Sequence, residues 1–261
     1  MKQYEKIRIS LCFVFLFSTL GCFGQPRVYS TANAHSHNDY ENEVPFHLAF
    51  QNAFGSIEAD IYSVNDTLFV AHNKQDIKPG RTLRSLYLDP LRRALDSNSK
   101  RNLKLLIDVK DDYEVTLPLL VKELHSLEKY LSTQSKERSV TIVISGNRPP
   151  PYELKNYPDF IFFDDDLKRA FTKDEWDRVA LVSLPLTRIT RWNGKDHISN
   201  EDSINVKRTI DSVHASGKPI RFWAAPDTEL SWQLQMNVGV DLIGTDKINE
   251  LAAFIQRKRK K

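Results

Sequence analysis

Cysteine is nearly missing from this chain of 261 residues: there are two, Cys12 and Cys22, and both precede residue 25. The rest of the chain can form no internal disulfide, so its stability has to come from packing. Glycine is scarce too, with nine residues, and none is arranged as G-x-G-x-x-G or G-x-x-x-x-G-K, which excludes the glycine-rich loops that cradle nucleotide phosphates. Charge of one sign is not in excess, since 37 basic residues face 34 acidic ones. Long apolar runs are limited to one, Ile9 to Leu20, which follows Lys2, Lys6 and Arg8 and ends near Gly21 and Gly24. A membrane-spanning helix needs about 20 apolar residues; this shorter run suits the core of a secretion signal.

We expect residues 1–24 to be a cleaved signal and the mature chain to be exported, periplasmic or secreted. The alternative is a lipoprotein anchored through Cys22, although Thr19-Leu20-Gly21-Cys22 is a poor lipobox. The leader holds three of the 37 basic and one of the 34 acidic residues, which leaves +1 beyond Gly24. Residues 257–261 are all basic and form a tail, read as a solvated helix end, with contact to a membrane surface as the alternative. Without that tail the body is acidic, so a nucleic-acid partner is not expected. A monomer is expected.

Between the leader and the tail, residues 25–256 read as one domain. Eight apolar or β-branched runs suggest strands: Val28 to His37, Ser56 to Tyr62, Leu103 to Lys110, Val140 to Ser145, Phe160 to Asp164, Ala180 to Leu184, Pro219 to Ala224 and Asp241 to Thr245. Helical stripes lie between them: Leu117 through Leu131, then Val206, Ile210 and Val213, then Leu230, Leu234 and Val238. Alternating strand and helix demands parallel pairing with right-handed crossovers. Eight such units close most naturally into a TIM-type (β/α)8 barrel, with a doubly wound open sheet as the alternative. A hairpin around Asn65-Asp66 decorates the second unit.

Residues two apart on a strand share a face, and three strands end in polar pairs at that spacing: His35 and His37, Glu58 and Asp60, Asp108 and Lys110. Carboxylates turned into a closed barrel need partners, because an unpaired buried charge costs several kcal/mol. Glu58, Asp60 and Asp108 would form a hard oxygen site for one divalent cation, Mg²⁺ or Ca²⁺; the competing reading is an ion network neutralised by Lys110 or an arginine. His72 ends the returning hairpin strand and, with His35 or His37, supplies two imidazoles beside that site, a pair able to take and return a proton. Trp223 reads as a substrate-stacking group or a core cap, and Arg148 as a substrate contact or loop structure. Arg81 reads as a solvated helix start, with contact to phosphate as the alternative. Asp165 and Asp166 read as solvated charge, with Asp164 open.

The runs Ala34-His35-Ser36-His37-Asn38-Asp39-Tyr40, Ser56-Ile57-Glu58-Ala59-Asp60, Val70-Ala71-His72 and Leu106-Ile107-Asp108-Val109-Lys110 resemble the phosphatidylinositol phospholipase C-like phosphodiesterases. That superfamily includes glycerophosphodiester phosphodiesterases and the spider sphingomyelinase D type. The nearest pattern is that of the altered inheritance of mitochondria protein 6 family, and it extends to Arg221-Phe222-Trp223 and Asp241 to Asp246. The resemblance implies a barrel with metal on Glu58, Asp60 and Asp108, two acid/base histidines including His72, and Lys110 on phosphate charge. Glycerophosphodiesterases carry His-Arg-Gly and then Pro-Glu-Asn-Thr, which this chain lacks. His37-Asn38 is similar to the eukaryotic phospholipase C pair, with Asn38 as a metal ligand, whereas His35 with Asn38 fits the sphingomyelinase D spacing; His37 is preferred.

The function expected is therefore hydrolysis of a glycerophosphodiester or phospholipid-type substrate. Two alternatives stand beside it. One is an amidohydrolase-like or histidinol-phosphatase-like metal hydrolase, which His35-x-His37 also resembles and which Asp246 would favour. The other is a non-catalytic barrel that binds phosphate or sugar.

Overall fold

In the computed structural model, which describes residues 28–97 and 101–259, the short apolar runs become nine strands. They are β1 (Ala34–Ser36), β2 (Ser56–Val64), β3 (Thr67–Val70), β4 (Leu103–Val109), β5 (Val140–Gly146), β6 (Ile161–Asp165), β7 (Val179–Pro185), β8 (Ile220–Trp223) and β9 (Leu242–Thr245). All but β3 run parallel, in the order β1-β9-β8-β7-β6-β5-β4-β2, and the pairing of β1 with β2 closes the ring. This is the expected TIM-type barrel. The expected secretion leader with Cys22, and Lys260 and Lys261 of the basic tail, lie outside the described residues. No described helix is long and apolar enough to cross a membrane.

The helices are α1 (His47–Gln51), α2 (Asp89–Asp96), α3 (Tyr113–Leu124), α4 (Lys173–Asp177), α5 (Asn200–Ala215), α6 (Glu229–Val238) and α7 (Ile248–Arg259). Period-two alternation gives each strand two jobs. Outward residues such as Ile57, Ala59, Leu105 and Ile107 pack with Leu117, Leu120 and Leu124 of α3. Val182, Leu184, Ile220 and Phe222 do the same for α5 and α6. Inward, Leu106, Val143, Leu181 and Leu242 form a small apolar cluster inside the ring. Two residues further along their strands come Asp108 and Ser145, and register sets Asp60, Asp108 and Ser145 side by side. A dry layer therefore underlies a polar one at the C-terminal mouth, where barrels of this kind carry their sites.

The hairpin solves a geometric problem. β1 is three residues long and pairs only Ser56 and Ile57 of β2, so the C-terminal half of β2 would be left as an edge; β3 covers it, from Ile61↔Val70 to Val64↔Thr67. Its turn places Asn65 and Asp66 at φ 47° and 58°, the twist that a two-residue hairpin needs. His72 follows directly and is thereby carried to the mouth.

Several expected bounds change. The run Val28 to His37 is strand only at Ala34–Ser36, because Ser30 caps a tight turn at Thr31–Asn33 through reciprocal bonds with Asn33. The stripe Leu117 to Leu131 is not one helix: α3 ends at Leu124 and a 3-10 segment, His125–Tyr130, continues it, still burying Leu127 and Leu131. Asp165 is a correction as well, since it is fully buried in β6 and accepts the Leu167 N–H at 2.7 Å instead of being solvated.

Candidate active site

Glu58 and Asp60 on β2 and Asp108 on β4 offer ligand oxygens that lie within 4.8 Å of one another. Lys110 Nζ bridges Asp60 Oδ2 at 2.9 Å and Asp108 Oδ2 at 2.8 Å, and Arg221 Nη1 donates to Glu58 Oε2 at 2.8 Å. The expected ion network is thus present, yet it is incomplete: three carboxylates meet two cations, and Asp60 Oδ1 and Asp108 Oδ1 are buried without a hydrogen-bond partner. Burial, only partly offset by Lys110 and reinforced by the charge of Asp60, pushes the Asp108 carboxyl up to about 6. Asp60 is raised by burial and by Glu58. At Glu58 burial pulls upward, but the Arg221 guanidinium and the His35 bond hold the carboxyl well below the usual range. Two orphaned carboxylate oxygens beside a third carboxylate fit a hard divalent cation.

Gly146 backs this cluster. A Cβ there would stand 1.9 Å from Asp108 Oδ1, and the residue adopts φ +70°, so glycine serves both the turn and the carboxylate.

His37 follows β1, with Nδ1 2.8 Å from Asp246 Oδ1. His72 lies across the mouth, with Nδ1 3.2 Å from Asp60 Oδ2 and 3.1 Å from the Tyr40 hydroxyl. Each imidazole is held through Nδ1 on a carboxylate, which orients Nε2 for proton exchange. Burial would lower the pKa of His37, but the Asp246 bond and the Glu58 charge outweigh it and raise it. Asn38 sits at φ 45°, a left-handed conformation that asparagine tolerates, and its Nδ2 is 3.0 Å from His37 Nδ1.

The loop bearing these residues is pinned by Asp39, which is buried and accepts from Ser36 Oγ at 2.7 Å, the Phe46 N–H at 2.6 Å and the Tyr87 hydroxyl at 3.0 Å. Phe46 is held at φ 69° in a γ-turn closed by His47 N–H to Pro45 O at 2.8 Å. Arg81 is not merely solvated, since its guanidinium donates to the Tyr40 carbonyl.

His35 is fully buried beneath the mouth, 2.8 Å from Ser56 Oγ and 2.7 Å from Glu58 Oε2. Burial and Arg221 lower its pKa to about 4, so it is neutral, and its Nε2 lies between Glu58 Oε2 and Arg221 Nη1, 2.7 Å from each. Arg148 forms an ion pair with Asp164, which also accepts from Ser145 Oγ at 2.8 Å. Trp223 is 46% exposed and, with Arg148, Lys110, His37 and His72, lines a cavity of about 390 Å³. Of the other histidines, His125 bonds Glu128 and His214 bonds Asp241, and neither they nor His47 and His197 line this cavity. The amidohydrolase reading thus lacks its further imidazoles.

Sequence reasoning named no role for Arg221 or Tyr40. Arg221 carried a signal, since it is two residues before Trp223 on one strand face. Tyr40 carried none, because it stands on a turn (Asp39–Glu41) whose direction no periodicity reports. Its phenol is raised, by burial first and by Asp60 next, and stays protonated.

Residues 27–103 match the AIM6-like phosphodiesterase domain. The altered inheritance of mitochondria protein 6 homolog of Arthroderma benhamiae is 28% identical over 264 residues, which cover 84% of this chain and 82% of that protein. Altered inheritance of mitochondria protein 6 of Eremothecium gossypii is 28% identical over 275 residues, 84% of this chain and 68% of its own. Among solved structures, a glycerophosphodiester phosphodiesterase from Parabacteroides distasonis shares the fold with a TM-score of 0.55 at 14% identity, covering 87% of this chain and 97% of that one. The resemblance read from the motifs holds: the chain is similar to that family across most of its length and shares the glycerophosphodiesterase barrel.

Proposed function

We propose that this chain is a metal-dependent phosphoric diester hydrolase acting on a glycerophosphodiester or phospholipid-type substrate. The observation that carries the reading is the cluster of Glu58, Asp60 and Asp108 at a barrel mouth, with an imidazole 3.2 Å from one of its carboxylates. Glu58, Asp60 and Asp108, with Asn38 beside them, would hold one Mg²⁺ or Ca²⁺. When bound, that cation supplies Lewis-acid stabilisation of phosphoryl charge. His37 and His72 exchange protons with the attacking and leaving oxygens through their Nε2 atoms. Lys110 and Arg148 offset phosphate charge, and Trp223 forms an apolar wall for the substrate. His35 supports Glu58 from below, because full burial keeps it from the reacting atoms. A substrate hydroxyl next to the phosphate would act as nucleophile and give a cyclic product, whereas water would give an open one.

The mature chain should hydrolyse bis-p-nitrophenyl phosphate with Mg²⁺ or Ca²⁺. A chelator, Glu58→Gln and His72→Ala should each lower turnover by about 10²-fold or more. Turnover indifferent to all three ends this reading, and well-folded protein inert on every ester would favour the binding barrel. A screen of glycerophosphodiesters, lysophospholipids and phosphoinositides then names the headgroup. The leader would take this activity out of the cytoplasm, where a monomer meets soluble or membrane-borne diesters.

A further inference from the structure

Tyr40 sits where three functional side chains converge. The residue is 2% exposed, and its hydroxyl lies 2.7 Å from Asn38 Oδ1, 2.7 Å from Asp60 Oδ2 and 3.1 Å from His72 Nδ1. A phenol has one proton to give. Asn38 Oδ1 and the Asp60 carboxylate are acceptors only, so the hydroxyl donates toward them, and the Nδ1–H of His72 is shared between the Tyr40 hydroxyl and Asp60 Oδ2. That allocation leaves Nε2 of His72 as the basic nitrogen, facing the mouth.

The opposite end of Asn38 reaches the other imidazole, since Nδ2 is 3.0 Å from His37 Nδ1 and 3.4 Å from Asp246 Oδ1. His37 Nδ1 already donates to Asp246, so Asn38 Nδ2 donates to the same carboxylate, and the amide spans the two halves. One chain of contacts thus runs from His37 and Asp246 through Asn38 and Tyr40 to His72. His72 needs such support, because its side chain is 56% exposed and Asp60 is its other side-chain hold among the described residues.

We propose that Tyr40 is a positioning residue that, together with Asp60, fixes the tautomer and orientation of His72 and, through Asn38, keeps the two imidazoles in register. The kinetic part of this assignment rests on the diester-hydrolase reading; the tautomer part does not.

Tyr40→Phe removes one oxygen and keeps the buried ring. At saturating Mg²⁺ or Ca²⁺, kcat on bis-p-nitrophenyl phosphate should fall about 10- to 100-fold with KM within about twofold. In ¹⁵N-histidine spectra, His72 of the wild type should show the Nδ1–H tautomer, and Tyr40→Phe should show averaged ring-nitrogen shifts. Tyr87→Phe serves as the control, because it removes another buried hydroxyl, one that reaches the same loop at Asp39 from the segment Arg84–Leu88 without touching an imidazole; its kcat should stay within about twofold of wild type. Three results would overturn the assignment: an unchanged His72 tautomer in Tyr40→Phe, a kcat loss that excess cation reverses, or an equal loss in Tyr87→Phe. Should the wild type hydrolyse no diester, the diesterase reading falls and the nitrogen spectra alone decide the role of Tyr40.

Discussion

At His37, the 2.8 Å bond between Nδ1 and Asp246 stabilises the imidazolium, and it is one of the causes that raise the pKa of this residue against its burial. Asp246→Asn removes the charge and keeps the shape, so the His37 titration should move to lower pH, and any limb of the rate profile that it governs should move with it. A ¹H–¹⁵N titration of both proteins measures this; an unmoved midpoint would show that Asp246 does not tune the ring. Gly146 makes a second residue-scale case. An added Cβ there meets Asp108 Oδ1 at 1.9 Å and Val109 O at 2.5 Å, neither of which is a flexible chain end. Gly146→Ala should cost about 1–3 kcal/mol in denaturant melts and weaken cation binding by calorimetry. Wild-type values in both would refute the account.

Among the elements, the β2–β3 hairpin matters most to the site, because it covers the half of β2 that three-residue β1 leaves open and delivers His72 to the mouth. Its turn holds Asn65 and Asp66 at φ 47° and 58°. A left-handed conformer costs an L-residue roughly 1–2 kcal/mol, less for Asn and Asp, and the greater chain entropy of glycine returns part of any gain. Asp66→Gly should therefore stabilise by about 0.5–1 kcal/mol and raise the melting temperature by about 1–4 °C with turnover unchanged. A lower melting temperature would mean that the turn is held by its side chains instead.

For the whole molecule, the carboxylate cluster is a site of stored instability. The folded-state pKa of Asp108, about 6, lies above its ordinary value of 3.8, so the folded protein binds the extra proton between those values and its stability falls as pH rises through that window. Above it the cost is complete, up to about 3 kcal/mol. Asp108→Asn should accordingly melt several degrees higher than wild type at pH 7 without added cation, and the gap should close below the lower value. Millimolar Mg²⁺ or Ca²⁺ should raise the wild-type melting temperature and leave the variant's nearly unmoved. A variant that melts lower than wild type at pH 7 would show that the bond to Lys110 outweighs the repulsion.

Alternation at period two on short strands, helices between them, and absent nucleotide loops were sufficient for the barrel and for the inward face of Glu58, Asp60 and Asp108, because both follow from local backbone geometry. The hairpin was legible for the same reason, in Asn65-Asp66 between two alternating runs. What only the tertiary structure decided is how non-local groups share their hydrogen bonds and charges. His35 and His37 share one strand spacing, yet one is sealed against Glu58 and Arg221 while the other meets Asp246 at the mouth, a difference set by where a three-residue strand stops within a closed ring. Tyr40 reaches His72 from a turn, and Arg221 reaches Glu58 from 163 residues away, because closure of the ring brings the two ends of the chain side by side.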